Sequence, residues 1–292
     1  MPDFRQIPVE PHLQQAWFLT RENFDPVLDV YHPGMFRVDG VFGDYPAISI
    51  TGRVCMLQCL HCAGKLLKGM HDGSDPGKFI SRLQRYAEQG KPGVLISGGA
   101  DENGQLPWKK YIPLIHEVKR STSLHISIHT GLADSDTIAQ LRNAGVDNFM
   151  FDLVPSQELF SSVFRLSDGF QRMQNMIKAM VRHKCFTTPH IILGLDNGQP
   201  ESLRSITGQL IKLKSETVVI VQFMPLRGTE MAHSPTIKAE KLIKFIAEMR
   251  QALPTWRLSL GCARRRPDHD LEVQAIQAGI NAIALPEEQT LR

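Results

Sequence analysis

The 292-residue chain has little of what marks secreted, membrane-bound or nucleic-acid-binding proteins. It has only five cysteines, and three of them packed within eight positions look like a metal site in a reducing compartment and not like a disulfide framework. No window approaches the run of about 18 apolar residues that a membrane span needs. Residues 1–17 carry acids and prolines where a secretory leader has an apolar core. Charge is nearly balanced, with 33 Lys and Arg against 30 Asp and Glu, so no broad field attracts nucleic acid. Low-complexity tracts and fixed-period repeats are also missing. These absences lead us to expect a soluble cytoplasmic protein with neither membrane nor nucleic acid as a partner.

Beyond an irregular N-terminal extension, residues 1–45, short β-branched runs alternate with longer amphipathic stretches over residues 46–292. This is the pattern of βα units around a parallel sheet buried on both faces. Eight strands are expected at 47–51, 93–97, 124–129, 148–153, 190–193, 218–223, 257–260 and 282–285. Helical spacing of apolar residues falls between them, at 77–88, 134–143, 169–182, 203–213 and 239–251. Eight parallel strands in chain order predict an α/β fold of the (β/α)8 TIM-barrel type, and an open sheet of the same order also satisfies the pattern.

Three of the five cysteines fall within eight positions, in Cys55-Met56-Leu57-Gln58-Cys59-Leu60-His61-Cys62. Directly after the first strand, this loop sits at the C-terminal mouth of the barrel, where such folds place their chemistry. Three thiolates on one loop can hold three irons of a cubane and leave the fourth iron without a protein ligand. Structural zinc is the alternative for clustered thiolates, but it wants a fourth ligand. His61, inside the two-residue spacer, is badly placed to share a metal with both flanking cysteines.

The C-x3-C-x2-C loop resembles the signature of the radical S-adenosylmethionine (SAM) superfamily. That resemblance implies a [4Fe–4S] cluster on Cys55, Cys59 and Cys62, with SAM chelating the open iron. It also implies that His61 replaces the aromatic residue that packs on adenine, and that Ser97-Gly98-Gly99 binds the SAM amino group. Asp152 would hold the ribose hydroxyls and Arg165 the SAM carboxylate. The segment His190–Leu195, with Gly194, resembles the apolar strand that ends in glycine beside the adenine in the biotin-synthase-like branch. Met224–Thr229, Arg257–Gly261 and Ala278–Ile283 resemble later elements of that branch.

The cysteines that hold biotin synthase's second cluster are missing from strands two and three here, and Cys185 precedes strand five. In their place Cys262 and Arg264 follow strand seven, where a thiol and a guanidinium at the barrel mouth would be catalytic. The surroundings of the cluster loop, Ser49-Ile50-Thr51-Gly52, His61-Cys62 and Gly64-Lys65-Leu66-Leu67, resemble a component of the two-protein lipoyl synthases. The implied reaction is sulfur insertion into an octanoyl chain on a lipoyl-domain protein. The implied partners are that acyl-carrying protein, a second radical SAM protein and a low-potential electron donor, with a second iron–sulfur cluster as a possible sulfur source. Two other readings remain open: a biotin-synthase-like mutase or metallocofactor maturase without sulfur insertion, and a non-catalytic iron–sulfur electron carrier.

Overall fold

The computed structural model describes residues 9–213 and 215–291. Its strands are β1 (Asp29–Tyr31), β2 (Arg37–Val38), β3 (Val41–Phe42), β4 (Ala47–Ser49), β5 (His71–Asp72), β6 (Gly93–Ser97), β7 (His125–His129), β8 (Asn148–Asp152), β9 (Thr187–Leu193), β10 (Thr217–Gln222), β11 (Arg257–Leu260) and β12 (Ala282–Ala284). The α-helices are α1 (Gln14–Asn23), α2 (Pro76–Glu88), α3 (Trp108–Ser121), α4 (Ser135–Asn143), α5 (Gln157–Ser162), α6 (Gly169–Arg182), α7 (Leu203–Leu213), α8 (Ala239–Ala252), α9 (His269–Gln277) and α10 (Glu288–Leu291).

The eight expected strands are β4 and β6 to β12, and they lie side by side in chain order, all parallel. The expected α/β barrel architecture is present as a curled sheet, a half-barrel, extended to ten strands by β5 at one edge and β1 at the other. The strand β1 lies before residue 45, where the N-terminal extension was expected to end. Asp29, Val30 and Tyr31 pair with Ala282, Ile283 and Ala284, so residues before 45 belong to the sheet. Next to it, Asp39 (φ 49°) and Gly40 (φ 80°) turn the small β2–β3 hairpin; an Asp-Gly pair accepts two successive left-handed residues that other pairs resist.

The helices cover the sheet because each presents an apolar stripe to it. In α6, Met173, Met176, Ile177 and Met180 are buried. Polar residues mark several starts: Asp75, Asp134, Ser156 and Asp268 each accept a backbone N–H of the first turn of α2, α4, α5 and α9. Asp147 shows how loops set register. Its carboxylate accepts from Ile126 N at 2.7 Å and from Lys119 Nζ at 2.7 Å, locking the entry to β8 against α3 and β7. Strict alternation along β8 then buries Phe149 and Phe151 and leaves Asp152 on the other face with Asn148 and Met150. No helix among the described residues is long and apolar enough to cross a membrane.

Candidate active site

The cysteine loop begins where β4 ends, and protein contacts alone give it its shape. Ala100 O accepts from Met56 N at 2.7 Å and from Leu57 N at 3.2 Å, and Leu60 N donates to Val163 O at 2.9 Å. Gln58 (φ 47°), Ala63 (φ 44°) and Gly64 (φ 68°) take left-handed conformations that curl the chain around its thiols. Gly99 permits the close approach: a Cβ there would sit 2.0 Å from Val54 O and 2.6 Å from Cys55 Cα. Its N–H donates to Thr51 Oγ1 at 2.6 Å, which fixes the end of β6 beneath the loop.

Cys55, Cys59 and Cys62, all free thiols, line one cavity of about 410 Å³. The ligand atoms of Cys59, His61 and Cys62 lie within 4.8 Å of one another. This corrects the expectation that His61 is badly placed to share a metal with both flanking cysteines. Cys55 is not part of that tight group, so the described residues supply no closed set of four ligands such as structural zinc prefers. The Cys59 S–H donates to Cys62, which holds the Cys59 thiol high and the Cys62 thiol low; burial raises Cys59 further. His61 packs against Phe164 with ring centroids 5.1 Å apart, and its buried Nδ1 has no hydrogen-bond partner among the described residues. Three thiols of one sharply curled loop and an unspent ring nitrogen at a cavity mouth fit the donor set for an iron–sulfur cluster with one open iron.

Ser97, Gly98, Gly99 and Asp152 line the same cavity. Asp152 faces it with a carboxyl that burial pushes above the usual range, with His190 and His61 opposing the shift. The other expected residues lie elsewhere. Gly194 (φ 93°) gives its N–H to the Glu201 carboxylate at 2.9 and 3.1 Å, and Ile192 takes the place on the cavity wall. Leu195 N adds 3.0 Å to the same carboxylate, while burial raises the Glu201 carboxyl to about 7. Arg165 (φ 61°) is exposed and paired with Glu230, away from the cavity lining.

Arg264 is corrected outright. Its guanidinium is fully buried against Glu272 and donates to Gly261 O at 2.9 Å, Ala284 O at 2.7 Å and Leu285 O at 2.9 Å. It ties the end of β11 to β12 and α9 and has no face on the chamber. Cys262 is half-buried, its thiol pushed up by burial, and Ala263 is the residue of that loop on the cavity wall.

Two chamber residues escaped the sequence reading. His129 ends β7, and His190 lies in β9; both line the cavity, with ring centroids 5.3 Å apart. A polar side chain at the C-terminal end of an apolar barrel strand, as in His125-Ile126-Ser127-Ile128-His129, is the signal that points to His129.

No family model matches the chain. Biotin synthase of Coxiella burnetii (strain RSA 493 / Nine Mile phase I) is 24% identical over 253 residues, covering 80% of this chain and 74% of that protein. Biotin synthase of Pseudomonas putida (strain W619) is 24% identical over 290 residues, covering 95% and 76%. Among solved structures, methylornithine synthase superposes with a TM-score of 0.67 at 16% identity over 95% of this chain and 78% of that one. The [FeFe]-hydrogenase maturase HydG gives 0.65 at 12% over 94% and 60%. The fold and site therefore define an α/β-barrel protein whose cysteine loop lines the central cavity and offers a candidate metal site. The cysteine loop and the likeness to biotin synthases together support the radical SAM superfamily.

Proposed function

We propose that this chain is a radical SAM enzyme that takes hydrogen from an unactivated carbon of an apolar substrate, and that the substrate is an octanoyl chain carried on a lipoyl-domain protein. When bound, the [4Fe–4S] cluster supplies the electron that splits SAM into methionine and a 5′-deoxyadenosyl radical. Cys55, Cys59 and Cys62 hold it. Ser97-Gly98-Gly99 receives the SAM amino group, Asp152 accepts from the ribose hydroxyls, and His61 with Phe164 flanks the adenine. The walls of Leu106, Leu132, Val154, Ile192 and Phe223 exclude water and receive the chain. The observation that carries this reading is the placement of all three thiols on one predominantly apolar cavity whose described lining holds a single carboxylate, that of Asp152.

As a lipoyl synthase component the chain would add sulfur at the carbon that loses hydrogen. The second radical SAM protein and a low-potential electron donor act with it, and any second cluster is held with that partner's help. One observation favours the alternative, a mutase or maturase without sulfur insertion. The only cysteines among the described residues lining the cavity are the three of the loop, with Cys262 outside it.

Anaerobically reconstituted enzyme, given SAM, dithionite and a carrier bearing a perdeuterated octanoyl chain, should yield 5′-deoxyadenosine that contains deuterium. Deuterium-free product would overturn the substrate assignment. Mass spectrometry of the carrier, with the partner protein present, separates the two readings: thiolated octanoyl supports sulfur insertion, and deuterium transfer without sulfur supports the alternative.

A further inference from the structure

Charge is divided across the mouth of the barrel. The segments that follow β6, β7 and β8 (98–107, 130–134 and 153–168) hold five acids, Asp101, Glu102, Asp134, Glu158 and Asp168, against one cation, Arg165. The other side is basic: Lys65, Lys68, Arg227, Arg265 and Arg266 stand on the loops after β4, β10 and β11. Four of them flank residues of the cavity wall. Lys65 lies between Gly64 and Leu66, Lys68 follows Leu67, Arg227 follows Leu226, and Arg265 is two residues beyond Ala263.

Contacts across the seam of the curled sheet join these cations into one arc. Met231 N donates to Leu60 O at 3.3 Å, and a Cβ on Gly228 would sit 3.0 Å from Lys65 Nζ, so the loop of Arg227 lies against the cysteine loop. A Cβ on Gly69 would sit 3.0 Å from Met35 Cε, and the Arg266 guanidinium lies 5.9 Å from the ring centroid of the next residue, Phe36. Lys68, Arg227, Arg265 and Arg266 are exposed, and Leu66, 54% exposed, puts a large apolar side chain among them. Within the arc only Arg265 has a described carboxylate in reach, that of Asp268 at 3.8 Å, which also accepts from Leu271 N in the first turn of α9. Lys65, Lys68, Arg227 and Arg266 form no ion pair among the described residues. Like charges gathered without counter-charges repel one another, and an acidic partner relieves that repulsion.

We propose that this arc docks an acidic protein domain that presents the substrate to the cavity. A folded domain cannot enter a space of about 410 Å³, so it must rest on the rim while the chain it carries goes in. Charge complementarity selects the occupant and fixes which way round it sits, because the cations attract it on one side of the mouth and the acids repel it on the other. A nucleic acid long enough to cross the mouth would run onto those acids, which favours a compact acidic domain. The inference rests on the proposed function for the substrate being borne on a protein, and adds where the carrier sits and what surface it shows.

The test measures binding without turnover. Reconstituted holoenzyme with SAM and no reductant is titrated with an acidic lipoyl domain bearing octanoyl-lysine and with a neutral octanoyl-lysyl peptide. Wild-type protein should hold the domain about tenfold or more tighter than the peptide at low salt, and most of that advantage should vanish as salt shortens the Debye length from about 30 to about 8 Å. The triple variant Lys68→Glu, Arg227→Glu, Arg265→Glu should weaken domain binding about tenfold or more, with peptide and SAM affinity within about twofold of wild type. Glutamine at the same three positions should give a smaller loss. A domain whose acidic patch is reversed to lysine should bind the glutamate variant again, which general damage to the fold does not allow. Glu102→Lys with Glu158→Lys, on the opposite rim, should leave domain binding undiminished. A domain bound no tighter than the peptide overturns the proposal, as does loss of peptide binding in step with the domain in both triple variants, or a preference for an RNA oligonucleotide over the domain. Charge-dependent docking without deuterium transfer from the octanoyl carrier would sink the substrate assignment and leave the surface standing; deuterium transfer with docking indifferent to charge would do the reverse.

Discussion

The loops after β4 and β11 make an instructive pair. Both follow a parallel strand at the same end of the sheet, and both carry cysteine beside basic residues. The first curls its thiols onto the cavity because Ala100, Thr51 and the missing side chain of Gly99 hold its backbone there. The second is pulled the other way. Arg264 turns down into Glu272 and the carbonyls of Ala284 and Leu285, taking one of the loop's three guanidinium charges out of the chamber and leaving Cys262 half-buried outside it. Position along the fold brought both loops to the same end of the sheet, and the partner beneath each one decided whether it lines the cavity or holds the structure.

Substitutions that attack the first loop should have the largest effect. Cys55→Ala, Cys59→Ala and Cys62→Ala each leave two thiolates for the cluster, and 5′-deoxyadenosine formation after anaerobic reconstitution should vanish in every case. Substantial turnover by any one would break the contrast between the loops.

Substitutions in the second loop should act on folding. Arg264→Leu strands the buried Glu272 carboxylate, and removing one partner of a buried pair costs about 3–5 kcal/mol. Burial and the pair act in opposite directions on Glu272, and the pair wins: its carboxyl lies below the usual range. Urea unfolding of Arg264→Leu should show the loss, and adding Glu272→Leu should recover much of it. An Arg264→Leu protein of native stability that fails to cleave SAM would return this arginine to the reaction.

Asp152→Ala tests the chamber between the two loops. A hydrogen bond to a charged group is worth about 1.5–3 kcal/mol, so SAM affinity should fall by that amount while iron content stays unchanged. Equal affinity in the variant would show that Asp152 serves something other than SAM. The smallest effect is expected at Cys262. Cys262→Ser exchanges a half-buried thiol outside the cavity lining, so iron content and SAM cleavage should stay within about twofold of wild type. A large fall in iron would place the thiol in a metal site.

The cysteine loop was legible because its information is local: three thiols at fixed spacing after a recognisable strand need no distant partner to be noticed. The barrel order was legible for a related reason, since strands buried on both faces repeat the same apolar signature. What escaped depended on residues remote in sequence. Arg264 reads as a solvated or mouth-facing cation until Glu272 and the β12 carbonyls are placed around it. Gly194 reads as a cofactor contact until Glu201 takes its N–H. His129 and His190 gain meaning only when β7, β8 and β9 stand side by side. The β2–β3 hairpin carried a local signal in Asp39-Gly40 that the reading of residues 1–45 as irregular passed over.

The pairing of β1 with β12 has a consequence for the time course of folding. Asp29 meets Ala282 across nearly the whole chain, and the Arg257–Asp29 ion pair joins β11 to the same edge. Contacts of such long sequence separation form slowly, because loop closure must come before they stabilise anything. During synthesis β1 is made long before its partner β12, while β4 to β10 can begin to assemble between them. That edge should therefore be set late, and pulse-labelling hydrogen exchange should find the amides of residues 29–31 protected after those of β6 to β9.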